Sequence, residues 1–180
     1  MSSPSNTPAD PEFVCVLDTC SLAEMKRLIK IDEQFVVFSM MTELLRAGRL
    51  AYPRQVATEM ARVKFPDTPG AWATGYAREV KFSSPSDDCL AEAMGAAQLI
   101  DPQSENDYVD ADPYVVAMAL QIKEDFPWCR VVVVSDDVRD RMPRKESVRT
   151  ACARLDLEHW TAEEFVACMQ EHASGSGPWS

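Results

Sequence analysis

Histidine is scarce in this 180-residue chain, zinc-type cysteine pairs are missing, and positive charge is in deficit. The two histidines, His159 and His172, stand apart from the six cysteines Cys15, Cys20, Cys89, Cys129, Cys152 and Cys168, none of which forms a CxxC pair. That spacing excludes a tetrahedral nitrogen–sulfur zinc site. Cys15, Cys129, Cys152 and Cys168 fall in apolar runs and read as buried free thiols, at home in a reducing compartment. With 18 Lys and Arg against 29 Asp and Glu, the net charge is -11. Broad non-specific duplex binding draws its affinity from phosphate neutralisation, so this balance argues against a large nucleic-acid footprint. No internal repeat occurs, and no charge-free stretch is long enough to span a bilayer. The first ten residues contain neither the basic nor the apolar part of a secretory leader. The expectation is a cytoplasmic protein with no membrane partner.

A hydrophobic content of 46% supports a folded body, and the length suits one domain. Residues 1–11, rich in Pro and Ser, are expected to be disordered, 12–172 to form the domain, and 173–180 to be a flexible Gly/Ser tail. Two continuously apolar runs, Phe13 to Leu17 and Val131 to Val134, read as strands covered on both faces, the mark of a parallel sheet. Helical patterns over about 21–30 and 33–47 follow the first strand, with Gly48 as a C-cap. A short strand at Leu50–Tyr52 leads to a helix opened by Pro53 and running to about Lys64. Two prolines break the pattern over 65–69; helices are expected over 70–81, 87–99 and 113–123, and an acidic loop over 101–110. After the second apolar strand come a basic loop (138–146), a helix (147–155), a short strand (157–160) and a helix opened by Thr161. Alternation of this kind predicts an α/β fold, a three-layer α/β/α sandwich with a short, mainly parallel central sheet. Trp72, Tyr76 and Trp179 look exposed, available to an interface such as a homodimer or to local packing.

Four acids stand where this fold would gather them: Asp18, Glu59, Asp112 and Asp137. Asp18 closes the first strand, and ligands of open α/β sheets bind beyond the carboxyl ends of strands. The plainer alternative makes Asp18 the N-cap of the next helix. Glu59 borders the apolar stripe Val56, Met60 and Val63, either aimed into a pocket or packing its stem with its head in water. Asp112 precedes Pro113, a good N-cap arrangement as well as a site position, and Asp107 and Asp110 crowd the same turn. Asp136 and Asp137 follow the Val131–Val134 strand, and either is eligible as the fourth acid. Clustered carboxylates repel unless a cation lies between them, and oxygen-only donors suit Mg²⁺ or Mn²⁺. Such centres activate water and stabilise charge on phosphate.

These pieces resemble a PIN domain, the small metal-dependent ribonuclease fold common among toxins of toxin–antitoxin pairs. The matching stretches are Val16-Leu17-Asp18-Thr19-Cys20-Ser21, Gly48 to Pro53 leading to Val56 and Glu59, Asp112 to Leu120, and Val131 to Asp137. The closing segment Val148 to Phe165 is similar to the end of such domains, so the likeness spans roughly 13–170. The subgroup most alike is that of bacterial PIN proteins of unassigned role. The resemblance implies a Mg²⁺- or Mn²⁺-dependent endoribonuclease with Asp18, Glu59, Asp112 and Asp137 as metal-binding and catalytic acids. It implies supporting hydroxyls at Thr19 and Ser135, with Asp110 and Asp136 beside the ligands. The Ser135 position favours Asp137 over Asp136 as fourth acid. Cys20 departs from the pattern, where the family more often has Asn or Ser. Arg139, Arg141, Arg144 and Lys145 follow the fourth acid and read as an RNA-phosphate contact, or as a solvated loop paired with Asp140 and Glu146. The partners implied are an RNA substrate and a protein antitoxin. A weakly catalytic PIN-like module binding RNA or protein is the alternative. An aspartyl phosphatase is disfavoured because Asp18 is followed by Thr19-Cys20 with no acid two residues on.

Overall fold

The computed structural model describes residues 11–62, 67–82, 84–105 and 108–173. The two terminal segments, apart from residues 11 and 173, lie outside the described residues, as do Val63, Asp107 and Trp179. The chain is α/β, with a four-stranded all-parallel sheet in the order β2-β1-β3-β4 and eight helices among the described residues. The strands are β1 (Phe13–Leu17), β2 (Leu50–Ala51), β3 (Arg130–Val134) and β4 (Glu158–Trp160). All of β1 is buried, and so is β3 after Arg130, as continuous apolar runs flanked by helices on both faces require.

The helices are α1 (Thr19–Leu28), α2 (Ile31–Arg46), α3 (Arg54–Met60), α4 (Thr68–Tyr76), α5 (Asp87–Ala96), α6 (Asp112–Asp125), α7 (Val148–Arg154) and α8 (Ala162–Ala173). One group joins α5, α6 and α7, with α6 lying along β1 and β3; the other gathers α3, α4 and α8 around α1. The result is a three-layer α/β/α sandwich. No helix among the described residues is long and apolar enough to cross a membrane. All six cysteines are free, and Cys15, Cys129, Cys152 and Cys168 are buried as their apolar surroundings predict. At the end of α2, Gly48 has φ +72, the left-handed conformation that closes helices and disfavours a side chain.

Several boundaries differ from the sequence expectation for identifiable reasons. Helix α1 begins at Thr19 because Asp18 caps it, its carboxylate accepting from the Thr19 N–H at 2.6 Å. Helix α4 spans 68–76 instead of 70–81: Asp67 caps it by accepting from the Gly70 N–H at 3.0 Å, and Pro69 lies in its first turn. Trp72, expected at the surface, is 5% exposed. Its ring packs against Phe38, Tyr52 and Tyr76, and its indole N–H donates to Thr42 at 2.9 Å, so local packing is its role.

Candidate functional site

The parallel register of β1 and β3 pairs Leu17 with Val134, so the next residues, Asp18 and Ser135, emerge side by side at the carboxyl edge of the sheet. Asp18 is 1% exposed and its charge is satisfied locally. Ser135 Oγ donates to its Oδ2 at 2.7 Å, the Cys20 thiol donates to the same oxygen at 3.0 Å, and the Thr19 N–H serves Oδ1. Asp18 is thus the cap of α1 and at the same time a buried acid at the sheet edge.

Strand β2 pairs with β1 at Cys15–Leu50 and Val16–Ala51, and Tyr52-Pro53 then turns the chain into α3. Glu59, on the last turn of α3, reaches the cluster beside buried Val56 and Met60. Its Oε2 accepts from Thr19 Oγ at 2.5 Å and its Oε1 from the Ala111 N–H at 2.8 Å. Burial raises its pKa, with Asp18 and Asp110 adding to the rise against those two hydrogen bonds.

Asp112 is the first residue of α6, not its cap; Ala111 occupies the cap position with helical backbone angles. Freed from capping, the Asp112 carboxylate bonds the ammonium of Lys145, which also lies 3.0 Å from Asp137 Oδ2. These three side chains are 14–16% exposed. Burial and then the charge of Asp18 push the Asp112 carboxyl up to about 8, against the pull of Lys145. Burial alone would lower Lys145, but Asp112 and Asp137 outweigh it and hold the ammonium above its ordinary value. Both partners shift upward because two carboxylates share one ammonium: the acids outnumber the cation, and the cation is held by both.

Asp137 and Asp136 diverge. The Asp137 backbone N–H donates to Ser135 Oγ at 3.1 Å, and its carboxylate meets Lys145 and, at 3.8 Å, Arg141. Asp136 turns to the start of α8, where its Oδ1 accepts from the Ala162 N–H at 3.3 Å, and its buried Oδ2 has no hydrogen-bond partner among the described residues. Asp137 is therefore the acid that joins Asp112. Asp110, half-buried, borders the group through its charge on Glu59.

The basic loop splits in two. Arg139 and Arg141 are exposed, whereas Arg144 makes a bidentate pair with Asp101 at 2.6 and 3.3 Å and Lys145 lies within the acids. The expected pairing of this loop with Asp140 and Glu146 is replaced by other contacts. Asp140 accepts from Ser147 and Thr150, and Glu146 pairs with Arg154. The placement of Lys145 had no sequence signal, because a contact from a loop to a helix start has no periodicity. Cys20 departs from the sequence pattern, and its thiol also accepts from the Asp136 N–H at 3.2 Å; burial, then Asp18, raise its pKa strongly.

All-oxygen donors of this kind suit a hard divalent cation. As arranged, however, no three His, Cys, Asp or Glu among the described residues stand together in a metal-holding group, and the cation between Asp112 and Asp137 is Lys145. The donor chemistry, carboxylate oxygens of Asp112 and Asp137, is of the kind through which Mg²⁺ or Mn²⁺ is held by one or two acids and water. No curated protein matches the chain. Residues 15–172, most of the sequence and every acid described above, match the family described as a domain of unknown function (DUF4411), and the chain belongs to that family.

Proposed function

We propose that the protein is a Mg²⁺- or Mn²⁺-dependent endoribonuclease of PIN-like design. The observation that carries this reading is the chain of contacts at the carboxyl edge of a parallel sheet, in which Thr19 bonds Glu59, Ser135 links Asp18 to Asp137, and Lys145 links Asp137 to Asp112. When bound, a divalent cation supplies charge neutralisation at a phosphodiester and a water activated for in-line attack. The chain's own residues do the rest. Ser135 fixes the carboxylate of Asp18 and the backbone of Asp137, and Thr19 ties Glu59 to the first strand. Arg139 and Arg141 offer exposed positive charge to the RNA backbone beside the acids, a small footprint on an acidic protein. The proposed setting is the cytoplasm, with a protein antitoxin restraining the enzyme.

A second reading, a PIN-like module that binds RNA or protein without cleaving, is favoured by the ammonium already lodged between Asp112 and Asp137. Incubating labelled single-stranded RNA with the protein in Mn²⁺, Mg²⁺ or EDTA, beside Asp18→Asn, separates the two. Metal-dependent cleavage lost in the variant is the expected outcome. A folded protein that cleaves nothing in either metal leaves the binding module.

A further inference from the structure

We infer that Lys145 is a built-in competitor for the divalent cation, its ammonium occupying the gap between Asp112 and Asp137 until a metal displaces it. The inference rests on the metal-binding part of the function proposed above. Its ground is the geometry of one side chain: Lys145 is 14% exposed and pairs with both Asp112 and Asp137. Two carboxylates facing one ammonium carry more negative charge than it neutralises. A divalent cation would satisfy that excess better, but it needs the same oxygens. Metal and ammonium therefore exclude each other there.

The loop carrying Lys145 is clamped, and this fixes how the exchange occurs. The Arg141 N–H donates to the Lys145 carbonyl at 2.7 Å, and the Lys145 N–H returns to the Arg141 carbonyl at 3.2 Å. On one side Arg144 is tied to Asp101; on the other Glu146 accepts from Arg154 at 2.5 Å and from the Gln98 N–H at 2.9 Å. Asp140 gathers the Ser147 N–H, the Ser147 hydroxyl and the Thr150 hydroxyl, each at 2.8 Å. The backbone stays in place and the lysine leaves by rotating its own flexible stem. Resting protein is thereby held with the ammonium between the acids, which accept a divalent cation only at concentrations that overcome the internal pair.

Titration of MnCl₂ into the whole chain by calorimetry tests this. Lys145→Met is expected to bind Mn²⁺ roughly tenfold to a hundredfold more tightly than the unaltered protein, the range of ordinary coupling between competing sites. Lys145→Arg, which keeps a cation, is expected to gain little. Equal affinity in the Met variant and the unaltered chain, or no Mn²⁺ binding by either, overturns the inference. Should the Met variant fail to fold, carbon-13 spectra of lysine-labelled unaltered protein decide, with the Lys145 signal assigned by its loss in Lys145→Arg. That signal is expected to move on adding MgCl₂ and to stay still in NaCl of equal ionic strength; a still signal while Mg²⁺ binds overturns it. RNA cleavage measured on the same samples keeps the two ideas apart. Tighter Mn²⁺ binding without cleavage supports the competitor and removes the nuclease, and metal-dependent cleavage with unchanged affinity does the reverse.

Discussion

Ser135 shows how much of the acidic centre depends on one hydroxyl. Fully buried, it donates to Asp18 Oδ2 at 2.7 Å and accepts from the Asp137 N–H at 3.1 Å, so it couples the ends of β1 and β3. Ser135→Ala leaves Asp18 Oδ2 with the weaker thiol donor of Cys20 and strands a backbone N–H. Losing partners from buried polar groups costs about 1–3 kcal/mol, and urea unfolding should show a loss in that range. Thr58→Ala, which removes an exposed hydroxyl bonded within α3, should stay within about 0.5 kcal/mol of the unaltered protein. Equal effects of the two would refute the coupling. At this scale the positions of Asp18 and Ser135 were legible in the sequence, because strand ends follow from apolar runs. Lys145 was not: its neighbours in the chain are Arg144 and Glu146, and only folding shows that it alone of the basic group turns inward.

Elements were legible where one physical cause dominates and blurred where two compete. Strands β1 and β3 follow from burial on both faces, and α6 from its unbroken apolar length after Pro113. Helix α4 differs from its sequence pattern at both ends. Pro66 and Pro69 read as breakers, yet Pro69 falls in the first turn, where its missing N–H costs nothing, and Asp67 supplies the cap. Its far end stops near Gly75, five residues before the expected limit. Asp67 also pairs with Lys26 at 3.0 Å, so cap and ion pair can be separated by substitution. Asp67→Ala should cost about 1–2 kcal/mol, the usual loss of a side-chain cap. Asp67→Asn keeps the cap and surrenders only a largely exposed pair, so its cost should stay below about 1 kcal/mol. An Asn variant as damaged as the Ala variant would make the Lys26 pair, not the cap, the anchor of α4.

Across the whole molecule the carboxylates divide into a paired periphery and a crowded centre that answer pH in opposite senses. Asp101, Asp140, Glu146 and Glu158 are held below their ordinary values by Arg144, the Ser147 N–H, Arg154 and Arg130 respectively. Their contribution is present above the unfolded carboxylate range and is lost as pH falls through their lowered values. In the centre, burial and Asp18 push Asp112 up to about 8, and burial raises Glu59. A raised acid favours the fold while protonated, so its contribution fades as pH climbs from the ordinary carboxylate value toward the folded one. Lys145, also raised, keeps its contribution throughout this range and loses it only above the ordinary lysine value. His159, lowered chiefly by burial, counts against the fold only as pH drops below the ordinary histidine value. The window from about pH 6.5 to 7.5 therefore isolates the centre, below the range in which the thiols, all raised by burial, begin to ionise in the unfolded chain. There, without added metal, stability should fall as pH rises, with Asp112 contributing no more than about 1.4 kcal/mol per pH unit, the limit for one proton. Asp112→Asn should flatten that slope, because it removes the titrating group while leaving Asp137 to Lys145. Urea midpoints at closely spaced pH values measure it, and a slope that persists unchanged in the Asn variant would move the excess charge of the centre from Asp112 to Glu59.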